Sequence, residues 1–275
     1  MDSLVKIGLV TDKYHLEKKS TQFLKYCKNI ADVSIYIEED YFLDFSNYKF
    51  DENIFFVKAK GDLVLNLAKL IEQETDIPVI NSSRSISLAF NRFLNSVFLR
   101  KAGIQVPDFT LNPVGKSPPY KDYIMKNIID QKSYAFNPQI KKEGGYLKVT
   151  DKRAIDESSG KKPKYTYVYF QEFVKSKWEH KVYIIGDDVF YYKQIPVLVN
   201  PDKMKSRIEV EKDQELTEIA YKAAEAIGLT ICSMDFLRSK KGVYYLTDIN
   251  SSPNFNYLKN GPKIVGDYLI RRAKT

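Results

Sequence analysis

The chain reads as an α/β unit followed by α+β lobes, on three observations. The first 80 residues alternate strand-like and helix-like apolar patterns, as a small parallel sheet with crossover helices requires. From Tyr120 onward, short strand patterns joined by turns dominate. Between two of those strands lies a polar stretch, 127–164, too long for an ordinary loop and therefore read as a flap or lid. These features divide the chain into an N-terminal α/β unit over 1–80, a helical connection over 81–119, a lid-bearing lobe over 120–174 and a C-terminal lobe over 175–275.

In the first unit, strands are expected over Lys6–Val10, Val33–Ile37, Ile54–Ala59 and Pro78–Asn81, with helices near Leu16–Ile30 and over Leu63–Glu74. Gly8 stands alone in the first strand. Without a following G-x-G-x-x-G the unit is not a dinucleotide-binding domain. Ile86, Ala89, Phe90, Phe93, Leu94, Val97 and Phe98 keep 3.6-residue spacing and predict one long helix, capped by Ser82 or Ser83 and closed by Gly103 before Pro107. Strands follow at Tyr123–Asn127, Tyr165–Phe170, Lys181–Ile185 and Val189–Gln194, the last two turning through Gly186-Asp187-Asp188. A helix over Gln214–Ile227, with Gly228 beyond it, should pack on the hairpin formed by Ser233–Leu237 and Val243–Ile249.

Composition narrows the function. The 275 residues include 43 Lys plus Arg and 35 Asp plus Glu, a formal charge of +8, and 44% hydrophobic side chains, so the chain can bury a core and favours an anionic partner. No apolar run approaches the roughly 20 residues of a membrane span, and charge at Asp12 and Lys13 interrupts any signal-like stretch, so a cytoplasmic location is expected. Cys27, Cys232, His15 and His180 are scattered, which disfavours a disulfide framework or a zinc site. Residues 141–164 hold eight basic and four acidic side chains. Aromatic residues do not alternate with these lysines as a stacking platform needs, so nucleic acid is not the expected partner.

The hairpin carries the most specific chemistry. If Arg238 pairs with Val243, Asp235 lies opposite Leu246, and Asp248 and Asn250 follow on the same face. Two carboxylates and an amide oxygen suit a hard cation such as Mg²⁺, although Asp248 and Asn250 could equally cap the turn into Ser251-Ser252-Pro253. A one-residue change of register would separate Asp235 from the other two. Lys126 ends an apolar strand, where it either snorkels to solvent or meets a phosphate. Alternation puts Lys181 on a face with Tyr183, and Lys193 on a face with Tyr191. Gln171-Glu172-Phe173-Val174 leaves a strand with backbone groups that could meet a purine edge.

Taken in order, Asn91-Arg92, Lys126, the basic flap, Gln171 to Val174, Lys181-Val182-Tyr183 before Gly186, and Asp235 with Asp248-Ile249-Asn250-Ser251-Ser252-Pro253 resemble the ATP-grasp superfamily. The resemblance implies an ATP-grasp fold: a small parallel pre-ATP-grasp unit, a central lid and a C-terminal ATP- and Mg²⁺-binding lobe. ATP would be contacted by Lys126, Gln171, Glu172, Phe173, Val174, Lys181 and Lys193, and one or two Mg²⁺ ions would be held by Asp235, Asp248 and Asn250. Lys193, Lys181 and Arg92 would act on the transferred phosphoryl group. The flap lacks the glycines many members carry there. Two acceptor chemistries fit: phosphoryl transfer to a hydroxyl, as in the inositol trisphosphate 5/6-kinase family, or acylphosphate formation on a carboxylate followed by amine attack, as in RimK-like ligases. Lys13, Lys58, Arg92, Lys259 and Lys263 form a cationic set suited to a polyphosphate. On that charge argument the inositol polyphosphate kinase is the favoured expectation and the carboxylate–amine ligase the alternative.

Overall fold

The structure, a computed structural model, describes residues 4–40, 49–113, 115–129, 139–142, 145–148, 167–196 and 203–275. The first unit runs β1 (Lys6–Thr11), α1 (Lys13–Lys19), α2 (Thr21–Cys27), β2 (Asp32–Ile37), β3 (Ile54–Val57), α3 (Asp62–Glu74) and β4 (Val79–Ile80). Its four strands form a parallel sheet in the order β2-β1-β3-β4. Ile7, Leu9, Ile54 and Phe56 bury one face of this sheet, while Val10, Phe55 and Val57 bury the other against Val64, Leu67 and Ile71 of α3. Burial on both faces explains the near-continuous apolar reading of β1 and β3. The expected helix at 16–30 is two short helices that meet at Ser20.

The long helix expected through 86–98 is also two: α4 (Ser83–Phe90) and α5 (Arg92–Lys101). Asn91 leaves helical geometry at φ −86°, ψ 98°, and its side chain accepts from the Leu94 amide at 3.0 Å, capping α5. The apolar stripe runs through the break, so periodicity could not reveal it.

The second sheet comprises β5 (Phe109–Pro113), β6 (Tyr123–Lys126), β7 (Gln139–Lys142), β8 (Gly145–Lys148) and β9 (Tyr167–Glu172), in the order β5-β9-β6-β7-β8. Strands β5, β7 and β8 were not anticipated; the last two fall within the stretch expected to be a polar flap, and the remainder of that stretch lies outside the described residues apart from 127–129.

The third sheet follows: β10 (Glu179–Ile185), β11 (Asp188–Gln194) and β12 (Ile208–Glu209), then α6 (Gln214–Ile227), β13 (Ile231–Arg238) and β14 (Tyr244–Asn250), in the order β12-β11-β10-β13-β14. Helix α6 begins at the Asp213 cap and ends at Gly228, whose φ of 83° places it in the left-handed region where a side chain is disfavoured. Leu216, Ala220, Ala223 and Ile227 pack on Val182, Cys232, Met234 and Leu246 as the largest core cluster. Helix α7 (Gly261–Ala273), unanticipated from sequence, packs Val265 and Leu269 against the opposite face of this sheet and the first unit's core, joining the two sheets.

Asn81 ties the first unit to the third sheet. Its Nδ2 donates to the carbonyls of Ile231 at 2.6 Å and Ser251 at 3.0 Å, and its Oδ1 accepts from the amides of Thr230 and Ile231.

Candidate active site

The two arms of the β13–β14 hairpin do not pair in the expected register. Arg238 lies opposite Tyr244 and Phe236 opposite Leu246, in the core. A bulge then intervenes: Thr247 is the extra residue, and Asp235 faces Asp248 directly while Ser233 faces Asn250. The turn is thus one residue out of step with the expectation, and the bulge restores the lost step. Asp235, Asp248 and Asn250 share one face by this route, with Leu246 on the other. Thr247 Oγ1 donates to the Asp235 carbonyl at 2.9 Å, securing the bulge.

Strand β10 adds its own residues to that face, because Lys181 lies opposite Asp235 and Tyr183 opposite Ser233. Lys181 Nζ sits 2.6 Å from Asp235 Oδ1. Burial opposes the ammonium charge, but the Asp235 carboxylate beside it outweighs that cost and holds the Lys181 pKa above its ordinary value. Lys193 lies opposite His180, one residue out of phase, and so occupies the other face of the sheet, with its Nζ 5.2 Å from the Trp178 ring centre. The expectation that Lys181 and Lys193 act together is corrected by this alternation.

Lys126 spans the two sheets. Its Nζ donates to Gln171 Oε1 on β9 at 2.9 Å and to the Thr247 carbonyl at the bulge at 3.1 Å. A cavity of about 150 Å³ opens beside it, walled by Ile124, Phe173, Val174 and Leu237, with Glu172, Asp235 and Asp248 at its polar edge. Apolar walls with a few convergent polar groups are the general form of a small-molecule site. Arg92 reaches the cleft from α5: it lines a small space with Lys126, Thr247 and Asp248, and its Nη1 donates to the Asn127 carbonyl at 3.1 Å.

The expected cationic substrate set is not gathered in one place. Lys13 pairs with Asp40 at 2.5 Å at the surface. Lys58 is buried, donates to the Pro253 carbonyl and lies 4.2 Å from the Phe255 ring centre; burial, with Lys19 and Lys60 nearby, lowers its pKa well below the usual lysine range. Lys263 bonds Asp267 at 2.6 Å and Tyr26 at 3.3 Å on the α2–α7 side, and Lys259 is exposed beyond Leu258. Of the five, only Arg92 lines the cleft that holds Lys126 and Asp248.

Arg207 was missed by the sequence reading. Its Nε donates to Gln194 Oε1 at 2.8 Å and its Nη1 to Tyr183 Oη at 3.3 Å, which puts the guanidinium beside the Lys181–Asp235 face. Gln194 in turn donates to Glu179, a wall of the cavity. Arg207 sits in a short basic run with no helical or strand period, so only tertiary contact reveals it.

Among the described residues no three His, Cys, Asp or Glu side chains form a metal cluster. The donor set here is two carboxylates and one amide oxygen, which fits a hard, oxygen-preferring cation that keeps waters. Asn250 Oδ1 also accepts from the Ser252 amide at 2.9 Å, so the turn-capping role and a place on the ligand face coexist.

A family model for the RimK-like ATP-grasp domain matches residues 197–268, which contain Arg207 and the whole β13–β14 hairpin. The tetrahydromethanopterin:α-L-glutamate ligase of Methanocaldococcus jannaschii is 27% identical over 210 residues, covering 71% of this chain and 70% of that protein. Among solved structures, the Chryseobacterium gregarium RiPP-associated ATP-grasp ligase, bound to ADP and a leader and core peptide, superposes with a TM-score of 0.69 at 14% identity over 98% of this chain and 97% of that one. The D-alanine–D-alanine ligase of Bacillus anthracis, bound to ATP, gives 0.68 at 14% identity over the same shares. These relatives are named as ligases, and the favoured inositol polyphosphate kinase expectation finds no support among them. No helix of the described residues is long and apolar enough to cross a membrane. Over nearly its whole length the chain has the fold of these ATP-grasp ligases, and its residues 197–268 match the RimK-like ATP-grasp domain.

Proposed function

We propose that the protein is a Mg²⁺- and ATP-dependent carboxylate–amine ligase. The observation that carries this reading is the cleft itself: Lys126 bridges the two sheets and lines an apolar cavity together with Asp235 and Asp248, which share their face of the hairpin with Asn250. The cavity accepts the adenine ring, with the backbone of Glu172 to Val174 offered to its edge, and Lys126 meets the phosphates. Mg²⁺ on the carboxylate face supplies charge neutralisation at the γ-phosphoryl group. Lys181 holds Asp235 in place through its ion pair, and Arg207, whose guanidinium has five N–H donors with two committed to Gln194 and Tyr183, is placed to stabilise an acylphosphate oxygen. The ligase names of the similar proteins support the amine acceptor.

The test supplies ATP, Mg²⁺ and pooled amino acids and short acidic peptides, then measures ADP, free phosphate and new amide mass together. Equal release of ADP and phosphate that appears only with both a carboxylate and an amine is the expected result. ADP formation with the phosphate retained on an organic acceptor would overturn the reading.

A further inference from the structure

The parallel sheet places a second group of reactive side chains next to the cleft. Its strand order, β2-β1-β3-β4, reverses between β1 and β3. In open parallel sheets the crevice outside the carboxyl ends of strands at such a reversal is the usual place for a ligand. Asp12 follows β1 there, His15 lies one turn into α1, and Lys58 follows β3. This crevice abuts the end of the metal-face strand, because Ser252 Oγ donates to the Lys58 carbonyl at 2.9 Å and Lys58 Nζ donates to the Pro253 carbonyl.

Within the crevice His15 is oriented as a proton acceptor. Its Nδ1 is 2.8 Å and 2.9 Å from the two Asp12 carboxylate oxygens, so Nδ1 carries the proton and Nε2 presents its lone pair, which accepts from Lys19 Nζ at 3.1 Å. The charged and titratable groups facing it are Asp12, Lys19 and Lys58, with the Tyr14 ring edge-on at 5.4 Å. Burial keeps the ring neutral, with its pKa pushed down to about 4 against the opposing pull of Asp12. The helix cap explains only part of this arrangement: the Asp12 carboxylate caps α1 through the His15 amide at 2.6 Å, and that bond needs no imidazole at position 15.

We propose that Asp12 and His15 form an amine-activating dyad for an amino-acid acceptor, with Lys19 pairing to that acceptor's carboxylate. The assignment rests on the ligase reading above. In the step it serves, the amine nitrogen forms a bond to the acyl carbon, the bond from that carbon to the phosphate oxygen breaks, and phosphate leaves with the electron pair. The nitrogen's surplus proton passes to His15 Nε2, and the imidazolium is held against the Asp12 carboxylate. Lys19 is the ion that the acceptor's carboxylate would draw away, opening Nε2 to the amine.

Two measurements on the full chain decide it. The chain has two histidines, so imidazole ¹⁵N spectra of the wild type and of His15→Gln identify the His15 signals. Adding a pool of the twenty L-amino acids should shift the Nε2 signal, and glutarate, whose carboxylates can draw Lys19 away but bring no amine to Nε2, should shift it less. An unmoved signal with the pool, or an equal shift with glutarate, overturns the dyad. The second measurement uses hydroxylamine, an amine largely unprotonated at neutral pH, to trap the acylphosphate as a hydroxamate. His15→Gln should lower the ratio of amide to hydroxamate by about 100-fold, the scale of lost general-base catalysis. An unchanged ratio makes His15 merely structural. Absence of hydroxamate from the wild type instead refutes acylphosphate formation, a failure separate from that of the dyad.

Discussion

Asp248 shows how much one side chain can decide. It faces Asp235 across the hairpin and lines both the larger cavity and the small space that Arg92 also lines. Asp248→Asn keeps the shape and removes one negative charge from the candidate Mg²⁺ face. Turnover should fall by about 100-fold or more, since even the groups that merely orient metal ligands cost 10–100-fold when changed. Melting behaviour should stay near that of the wild type, because the side chain is only half-buried; ADP-release kinetics beside a thermal melt check both halves. His15 gives a pH prediction. A histidine whose folded pKa is depressed to about 4 binds no proton in the range where the unfolded chain, near 6.5, already does. Its contribution to stability is therefore complete above about pH 6.5 and is lost as pH falls toward 4, by about 3 kcal/mol at the acid end. Denaturant titrations at pH 7 and pH 4.5 should show this loss in the wild type and a smaller loss in His15→Gln, whose remaining slope belongs to other groups, His180 among them.

At the scale of elements, Asn81 is the test of how the units are joined. It is 1% exposed and satisfies four backbone groups around Ile231 and Ser251. Asn81→Ala strands those groups without water, and unfolding free energy should drop by about 3 kcal/mol, measured by chemical denaturation. A drop below about 1 kcal/mol would show that the junction does not depend on this amide. The same scale marks where sequence reading succeeds. Helix α6 was legible to the residue because its stripe, its Asp213 cap and its closing Gly228 agree. The division of α4 from α5 was not, since Asn91 interrupts the backbone and leaves the apolar period intact. The shared face of Asp235, Asp248 and Asn250 was legible for a reason that turns out different: alternation was counted from the wrong turn register, and the bulge at Thr247 brought Asp235 back beside Asp248. A bulge inserts one residue without any periodic trace, so its place is set by packing that a single strand does not show.

At the scale of the whole molecule, net charge misled where topology did not. The +8 balance suggested a polyphosphate pocket, yet Lys13, Lys58 and Lys263 are engaged by Asp40, by the Pro253 carbonyl and by Asp267, in three different neighbourhoods. Net charge counts cations without saying which share a concave surface, and only Arg92 of that set lines the cleft. What joins the cleft is Lys126, which holds β9 and the β14 bulge together through Gln171 and Thr247. Nucleotide should therefore tighten the molecule as a unit. At a Mg²⁺–ATP concentration 100 times its Kd, binding to the folded state adds about 2.7 kcal/mol. For a chain of this size that raises Tm by on the order of 5 °C. Lys126→Met keeps the apolar stem and removes the ammonium, so its melting point without nucleotide should fall only slightly, while the rise caused by Mg²⁺–ATP at the same concentration should shrink by more than half. Thermal melts of both proteins with ATP and Mg²⁺, with ATP alone and with Mg²⁺ alone separate the contributions. An undiminished rise in Lys126→Met would mean that the two sheets grip the nucleotide without this lysine, and the phosphates would then have to be assigned to other cations, Lys181 and Arg207 first.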